Sequence, residues 1–134
     1  MSNHWLLKTE PSTYGWEDLL REKTAVWDGV TNPVALRNLA AMQPGDDALI
    51  YHTGDEKAVV GLARVTKAAY PDPKARDSKL LVVELAPVKP LAKQVTLAEI
   101  KADPQFQDSP LVRQGRLSVV ALTDEQFRRL TLGS

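Results

Sequence analysis

The chain has 134 residues, of which 43% are apolar and 25% are charged, and it contains no cysteine. This composition is typical of one globular domain and excludes disulfide scaffolds, thiol nucleophiles and cysteine zinc sites. The longest clearly apolar stretches, such as residues 58–63, are far shorter than the ~20 residues of a membrane span. The amino terminus is also too short in apolar length for a secretory signal. We therefore expect a cytoplasmic protein with no membrane partner.

Charge is balanced overall but is unevenly distributed along the chain. Lys and Arg total 17, as do Asp and Glu, so the net charge is zero. A protein that holds long nucleic acid through phosphate contacts alone normally carries a basic surplus. Residues 61–100 nevertheless hold 7 basic and 4 acidic side chains. They indicate a modest basic strip, although a solvated loop and strand face would explain the same charges.

The predicted elements of the first half begin with a strand over residues 4–9, which ends at Glu10 and Pro11. A short helix follows, because apolar residues at 16, 19 and 20 have helical spacing. Residues 25–28 form a strand fragment or a loop. Asn32 and Pro33 predict the start of a second helix, since Asn is a good cap and Pro suits the first helical position. The expected buried stripe of that helix is Leu36, Leu39, Ala40 and Met42.

The second half opens on the strongest β signal, residues 48–53 and 58–70 around a turn at 54–55. Gly61 inside the second of these strands predicts a bulge or a close approach by a ligand or backbone. Residues 79–88 predict a further strand that Pro90 closes. Capping-box patterns begin helices at Thr96 and Thr123, with a helical turn at 110–114 and a strand at 117–122 between them. This mixed order predicts an α+β fold with a mostly antiparallel sheet or barrel.

Motifs for common enzyme chemistry are missing from the sequence. There is no glycine-rich phosphate loop and no GxSxG elbow, and neither His4 nor His52 has a partner at metal-ligand spacing. We therefore predict no cofactor, no metal and no catalytic residue. Glu10, Asp28 and His52 would form an acid–base set if the fold brought them together. Separate surface carboxylates and a hydrogen-bonded histidine are the simpler interpretation.

Two segments stand out, because a purely structural role does not account well for the presence of both. Residues 8–11 (KTEP) place charged and hydroxyl groups directly after an apolar strand, and residues 26–32 (VWDGVTN) place a large ring in a loop-like stretch. Taken singly, Glu10 and Pro11 form a turn, Trp27 fills the core and Asn32 caps a helix. Together with other segments they resemble the EVE domain family. Those segments are WLLKTEP at 5–11, WDGVTN at 27–32, YH at 51–52, VGLARV at 60–65, AYPD at 69–72, VTLAEIK at 95–101, PLVRQ at 110–114 and RLSV at 116–119.

This resemblance covers almost the whole chain and implies both a fold and a function. The implied fold is PUA-like, a small mixed, mostly antiparallel β-barrel with short peripheral helices, related to the YTH domains. The implied function is to read a modified base, such as a methylated or oxidised cytosine, in DNA or RNA. The chain departs from the family pattern after Asn32, where Pro33, Leu36 and Arg37 stand, and in a compact loop after Asp72. The rim of the ligand site is therefore expected to differ.

Carried over residue by residue, the resemblance gives a set of candidate site residues. The ligand-binding candidates are Lys8, Thr9, Glu10, Trp27, Gly29, Asn32, Tyr51 and His52. The candidates for phosphate contacts are Arg64, Lys67 and Lys79. Trp27 is the expected stacking platform, since an aromatic face returns about 1–3 kcal/mol per base. Asn32 and the Thr9 hydroxyl are expected to read the base edge.

These observations predict a monomeric, non-enzymatic nucleic-acid-binding module. On this reading Trp27→Ala abolishes binding and leaves the fold largely intact. An enzyme acting on a nucleotide or nucleoside derivative is the first alternative, and it requires Glu10, Asp28 and His52 in one cleft. A peptide-binding interaction module is the second alternative.

Overall fold

The computed structural model describes residues 3–77 and 79–132, and a mixed sheet of six strands forms its centre. The strands are β1 His4–Thr9, β2 Ala25–Trp27, β3 Asp47–His52, β4 Ala58–Pro71, β5 Leu81–Thr96 and β6 Val119–Leu122. The helices are α1 Trp16–Glu22, α2 Pro33–Ala41, α3 Leu97–Ala102, α4 Pro110–Arg113 and α5 Asp124–Thr131, with a 3₁₀ turn at Pro104–Phe106. Within the described ranges, no helix is long and apolar enough to cross a membrane.

The order of strands in the sheet is β2-β5-β4-β3-β1-β6. Among the described strands only the pair β1 and β3 runs parallel, and the other neighbouring pairs run antiparallel. The prediction of an α+β fold with a mostly antiparallel sheet is therefore confirmed. In the described part of the chain the hydrogen-bonded order has two ends, at β2 and β6, and closure into a barrel is therefore not confirmed. Barrel closure stays an expectation from the family resemblance.

The helix starts lie where the sequence predicts them. The Asn32 side chain accepts hydrogen bonds from the backbone N–H groups of Val34 and Ala35, and Thr96 and Thr123 both form capping boxes. The predicted stripe of α2 is wrong at Ala40, which is exposed. Leu39 and Met42 are buried as predicted, and the helix also buries Ala35, which lies four residues before Leu39 on the same face.

The prediction that Pro90 closes a strand is also wrong, because β5 continues to Thr96. Gly61 pairs with Pro90 and Ala63 with Pro87, and the register of β4 against β5 shifts on either side of these pairs. The other neighbour of β5, strand β2, pairs only with residues 83–85. Both prolines therefore lie where β5 has one neighbour and an irregular ladder, which is where a strand tolerates a missing N–H.

The bulge predicted at Gly61 is confirmed, whereas the group that approaches it closely is a side chain and not a ligand or backbone. The register shifts between Val59 and Gly61, and a Cβ atom at Gly61 would lie 2.5 Å from ring carbons of Trp16. The indole of Trp16 thus packs directly onto the strand backbone. The backbone N–H of Trp16 also donates to Nε2 of His52 at 3.0 Å, which ties the start of α1 to the end of β3.

A buried carboxylate anchors the opposite end of the parallel pair. Asp46 accepts hydrogen bonds of 3.0 Å from Trp5 Nε1, from the N–H of Asn3 and from the N–H of Gln43. Burial raises the pKa of Asp46, but the three donors outweigh it and hold that pKa below its ordinary value. The carboxylate therefore stays ionised and fixes the turn that leads into β3.

Candidate ligand site

A cleft of about 410 Å³ lies where the carboxyl end of β1 meets β2 and the loop after it. We call it the Trp27 cleft. Its walls come from β1, from the loop before α1, from residues 26–30 and from the residue before β6. The lining residues are Lys8, Thr9, Thr13, Tyr14, Val26, Trp27, Asp28, Gly29, Val30 and Ser118. Its volume lies within the range of about 300–1,000 Å³ that is common for small-molecule sites.

Trp27 forms part of the wall of the cleft and also packs into the core. Only 8% of the residue is exposed, and the Tyr14 ring meets the indole at 88° with 6.0 Å between ring centroids. Because β2 is antiparallel to β5, Trp27 pairs with Val83 and its backbone is fixed by the sheet. A substitution that removes the ring therefore removes core packing as well. For this reason Trp27→Ala is not expected to leave the fold intact, contrary to the sequence-based expectation.

Tyr14 is held in the wall by hydrogen bonds at both ends. The Thr9 hydroxyl donates to the carbonyl oxygen of Tyr14 at 2.6 Å, and the Tyr14 hydroxyl donates to Glu22. Burial and then the Glu22 carboxylate raise the pKa of Tyr14, so its hydroxyl stays protonated. The second aromatic ring of the cleft is thus fixed before any ligand enters.

The loop after β2 presents free polar groups to the cleft. Gly29 adopts a φ of +79°, which favours glycine, and the space where its Cβ would lie is open. Asp28 is exposed, and its carboxylate forms no hydrogen bond or ion pair with any residue that the structure describes. The hydroxyls of Thr13 and Ser118 likewise lack a partner in the described ranges. The cleft therefore offers one anionic acceptor and two hydroxyls to a ligand.

Lys8 supplies the positive charge of the cleft. Its ammonium donates to the carbonyl oxygen of Gly115 at 2.9 Å and lies 5.7 Å from the centroid of the Tyr51 ring. Partial burial lowers the pKa of Lys8. Since an ammonium carries three donors, the bond to Gly115 leaves others for a ligand.

The structure brings four of the eight predicted ligand residues to the Trp27 cleft and places the other four elsewhere. The cleft is lined by Lys8, Thr9, Trp27 and Gly29. Asn32 does not line it and caps α2. Tyr51 lines a neighbouring cavity.

Glu10 and His52 also lie outside the cleft, and both are hydrogen-bonded within the fold. The exposed Glu10 accepts hydrogen bonds from Ser12 and Thr53. His52 is buried, and because its Nε2 accepts from the backbone, its Nδ1 carries the proton and donates to Glu56 at 3.2 Å. These hydrogen bonds give His52 a structural role.

The three predicted phosphate contacts do not line the Trp27 cleft. Arg64 lies 3.7 Å from the Asp47 carboxylate, beside the amino end of β1, whereas the cleft lies at its carboxyl end. Lys67 lies 4.0 Å from the Glu84 carboxylate and 4.6 Å from the centroid of the Tyr70 ring. Lys79 is exposed in the loop before β5. Their phosphate-binding role stays a prediction.

Sequence reasoning missed Thr13, Tyr14 and Ser118 as cleft residues. Tyr14 had a visible signal, because it is one of the few aromatic residues and lies three positions after the end of the KTEP segment. Ser118 lies in the RLSV segment that carries the resemblance, but nothing in the local sequence places it beside Lys8, which is 110 positions away and whose N–H donates to the Ser118 carbonyl oxygen. That contact extends the β1–β6 pairing up to the cleft.

The acid–base set required for an enzyme is not assembled. Asp28 lines the Trp27 cleft, whereas Glu10 and His52 do not. Among residues 3–77 and 79–132, no group of three or more His, Asp or Glu side chains lies close enough to hold a metal ion. What the cleft does assemble is two rings, a free carboxylate, hydroxyls and an ammonium, which suits binding of a flat polar ligand.

The geometry defines a small α+β domain with a ring-lined ligand cleft, and comparison with known proteins places it in a family. The model of the EVE domain matches residues 3–131. Human thymocyte nuclear protein 1 is 30% identical over 161 residues, which covers 95% of this chain and 72% of that protein. The chain belongs to the EVE domain family.

Solved structures agree with this assignment. A Rhodopseudomonas palustris protein is 37% identical with a TM-score of 0.90, covering 96% of this chain and 90% of that one. The human THYN1 protein, in complex with 5-methylcytosine-containing DNA, is 29% identical with a TM-score of 0.89, covering 97% and 96% of the two chains. An ASCH protein from Zymomonas mobilis, 14% identical with a TM-score of 0.65 and covering 98% and 96%, shares the fold alone.

Proposed function

We propose that this chain is a non-enzymatic module that binds nucleic acid by taking one modified base, a methylated or oxidised cytosine, into the Trp27 cleft. The observation that carries the proposal is the composition of that cleft: two aromatic rings next to polar side chains that have no partner among the residues the structure describes. The related human protein in complex with 5-methylcytosine-containing DNA supports the choice of base. The same chemistry applies to a base in RNA.

Aromatic and apolar groups in the cleft compensate for the stacking that a base loses when it leaves its strand. Unstacking costs a few kcal/mol, and contact with an aromatic face returns about 1–3 kcal/mol. Trp27 and Tyr14 provide rings, while Val26 and Val30 provide apolar surface beside them. Since both rings are already fixed by packing and hydrogen bonds, binding costs little side-chain entropy.

Asp28 is the group best suited to identify cytosine. Cytosine presents an exocyclic amino group, which donates hydrogen bonds, and Asp and Glu carboxylates are its usual partners. The Asp28 carboxylate lies at the cleft and has no partner among the described residues. Thymine has a carbonyl oxygen at the same ring position, so a carboxylate repels it. This assigns to Asp28 the role of reading the base edge.

The modification itself is expected to contribute modestly when it is a methyl group. Burying one carbon contributes about 0.8 kcal/mol, which corresponds to about a fourfold gain in affinity. A hydroxymethyl or formyl group would gain more if a hydroxyl of Thr13 or Ser118 bonded to it. Preference among modifications therefore depends on these two hydroxyls.

The experiment is a titration of the protein with short labelled oligonucleotides that differ at one position. DNA and RNA strands would carry cytosine, 5-methylcytosine or 5-hydroxymethylcytosine there, and fluorescence anisotropy would give the dissociation constants. We expect binding that is tighter for a modified cytosine than for cytosine. Equal binding of all strands, or no binding to any, would refute the proposal.

A further inference from the structure

A second cavity, of about 210 Å³, shares Lys8 with the Trp27 cleft. We call it the lysine cavity, because Lys8, Lys57 and Lys101 all line it, together with Tyr51 and Thr53. No carboxylate is among its lining residues. In a chain with equal numbers of acidic and basic side chains, this is a local excess of positive charge.

The three ammonium groups have no acidic partner within the described part of the chain. Several other cations do form ion pairs, for example Arg113 with Asp108 and Arg129 with Asp103. Lys8 is the strongest case, since it is partly buried and its ammonium bonds only to the neutral carbonyl oxygen of Gly115. A partly buried charge without a counterion is unfavourable, and a bound anion would offset that cost.

The backbone beside the cavity is held in an unusual conformation. Lys57 has a φ of +45°, in the left-handed region that a residue with a Cβ rarely adopts. Its carbonyl oxygen accepts a 2.7 Å hydrogen bond from the N–H of Leu97, the first residue of α3. Lys101 lies four residues after Leu97 and therefore on the same face of α3. The bond between Leu97 and Lys57 thus holds Lys57 close to Lys101.

The Glu10 carboxylate lies next to this cavity and already accepts hydrogen bonds from other residues. A Cβ atom at Gly54, which lines the cavity, would lie 2.8 Å from Glu10 Oε2. The carboxylate accepts from Ser12 and from the Thr53 hydroxyl, and the bonds from Ser12 lower the pKa of Glu10 most. Glu10 is not among the residues that line the cavity, whereas three lysines are.

We propose that the lysine cavity binds a phosphate group of the strand whose base enters the Trp27 cleft. This rests on the proposed function, and it assigns the phosphate contact to Lys8, Lys57 and Lys101. Because Lys8 lines both cavities, a nucleotide in the first places a phosphodiester near the second. The cavity recognises phosphate oxygens, which a nucleic-acid backbone or free inorganic phosphate can supply.

The test measures how binding depends on salt in the variants Lys57→Gln and Lys101→Gln. For single strands the logarithm of affinity falls with the logarithm of salt concentration, with a slope of about −0.7 for each phosphate contact. We expect each variant to make this slope shallower, by up to about 0.7, and to weaken binding equally for cytosine and 5-methylcytosine strands. Lys93→Gln is the matched control, since Lys93 is exposed on β5 and does not line either cavity.

A separate titration with inorganic phosphate distinguishes this inference from the proposed function. Amide resonances of Gly54 and Gly115, which line the lysine cavity, would report on the anion. Shifts there without any oligonucleotide binding would support the anion site and refute the base reader. Base-selective binding with a salt slope that matches the Lys93→Gln control in both variants would overturn the lysine cavity alone. Neither shifts nor binding would overturn both.

Discussion

The substitution Asp28→Asn tests how the cleft would tell cytosine from other pyrimidines. It keeps the size of the side chain but replaces an acceptor-only carboxylate with an amide that can also donate. 5-Methylcytosine and thymine differ at ring positions 3 and 4: 5-methylcytosine has an unprotonated N3 and an amino group, whereas thymine has an N3–H and a carbonyl oxygen. The wild-type protein should favour 5-methylcytosine, and Asp28→Asn should lose most of that preference because its amide serves either base.

The expected size of this effect follows from the unpaired state of Asp28. A hydrogen bond to a charged group contributes about 1.5–3 kcal/mol. At 1.4 kcal/mol per tenfold change, this corresponds to a preference of about 10- to 150-fold. Asp28 is exposed and gives up no partner within the described fold, so the folded state should be almost unaffected.

The assay compares dissociation constants for single strands that carry 5-methylcytosine or thymine at one position, measured by fluorescence anisotropy. Removing a negative charge strengthens binding to any nucleic acid, so the ratio of the two constants is the readout. Asp108→Asn makes the same charge change at a residue that does not line the Trp27 cleft, and it should keep the wild-type ratio. A wild-type ratio near one, or an unchanged ratio in Asp28→Asn, would show that Asp28 does not read the base.

Three further substitutions probe the cleft and the fold around it. Trp27→Phe keeps a ring in the wall but with less face, so affinity should fall several-fold for all bases alike, with thermal unfolding as the check on the fold. Gly61→Ala places a methyl group 2.5 Å from the buried Trp16 ring, and should destabilise the protein by about 1–3 kcal/mol in urea unfolding; an unchanged midpoint would contradict this packing. Asp46→Asn should cost about 1–3 kcal/mol at pH 7, because an amide nitrogen cannot accept the Trp5 N–H. Since the folded pKa of Asp46 is lowered, its stabilisation is present above the ordinary pKa of 3.8 and is lost as pH falls through the folded value. Unfolding curves of wild type and Asp46→Asn should therefore converge in acid, and a constant gap from pH 7 to pH 2 would contradict the assignment.

Local signals in the sequence were sufficient for most of the fold. Asn32 before Pro33, and the capping boxes at Thr96 and Thr123, place helix starts because caps depend only on neighbouring residues. The extent of β5 was not predictable in the same way. Pro90 normally ends a strand, and only the irregular pairing with Gly61 on β4 allows the chain to continue.

The candidate site was predictable only in part, because the sequence shows local neighbours and not contacts between distant residues. Lys8, Thr9, Trp27 and Gly29 lie in two short motifs whose residues stay close to one another in any fold. Asn32 and His52 also lie in the motifs, but their side chains accept hydrogen bonds from the backbone. Asn32 caps α2, and His52 accepts from the Trp16 N–H. Which member of a motif faces the ligand depends on packing and not on its position in the chain.

The amino-acid sequence by itself determined the order of helices and strands, the family, and two of the segments that line the cleft. The tertiary structure alone decided that Ser118 joins that cleft and that Lys8 meets Lys57 and Lys101 in a second cavity. These groups come from distant parts of the chain, and only the pairing of β1 with β3 and β6, and the packing of α3 beside β5, brings them together. Local rules act over a few residues, whereas such contacts depend on the complete sheet.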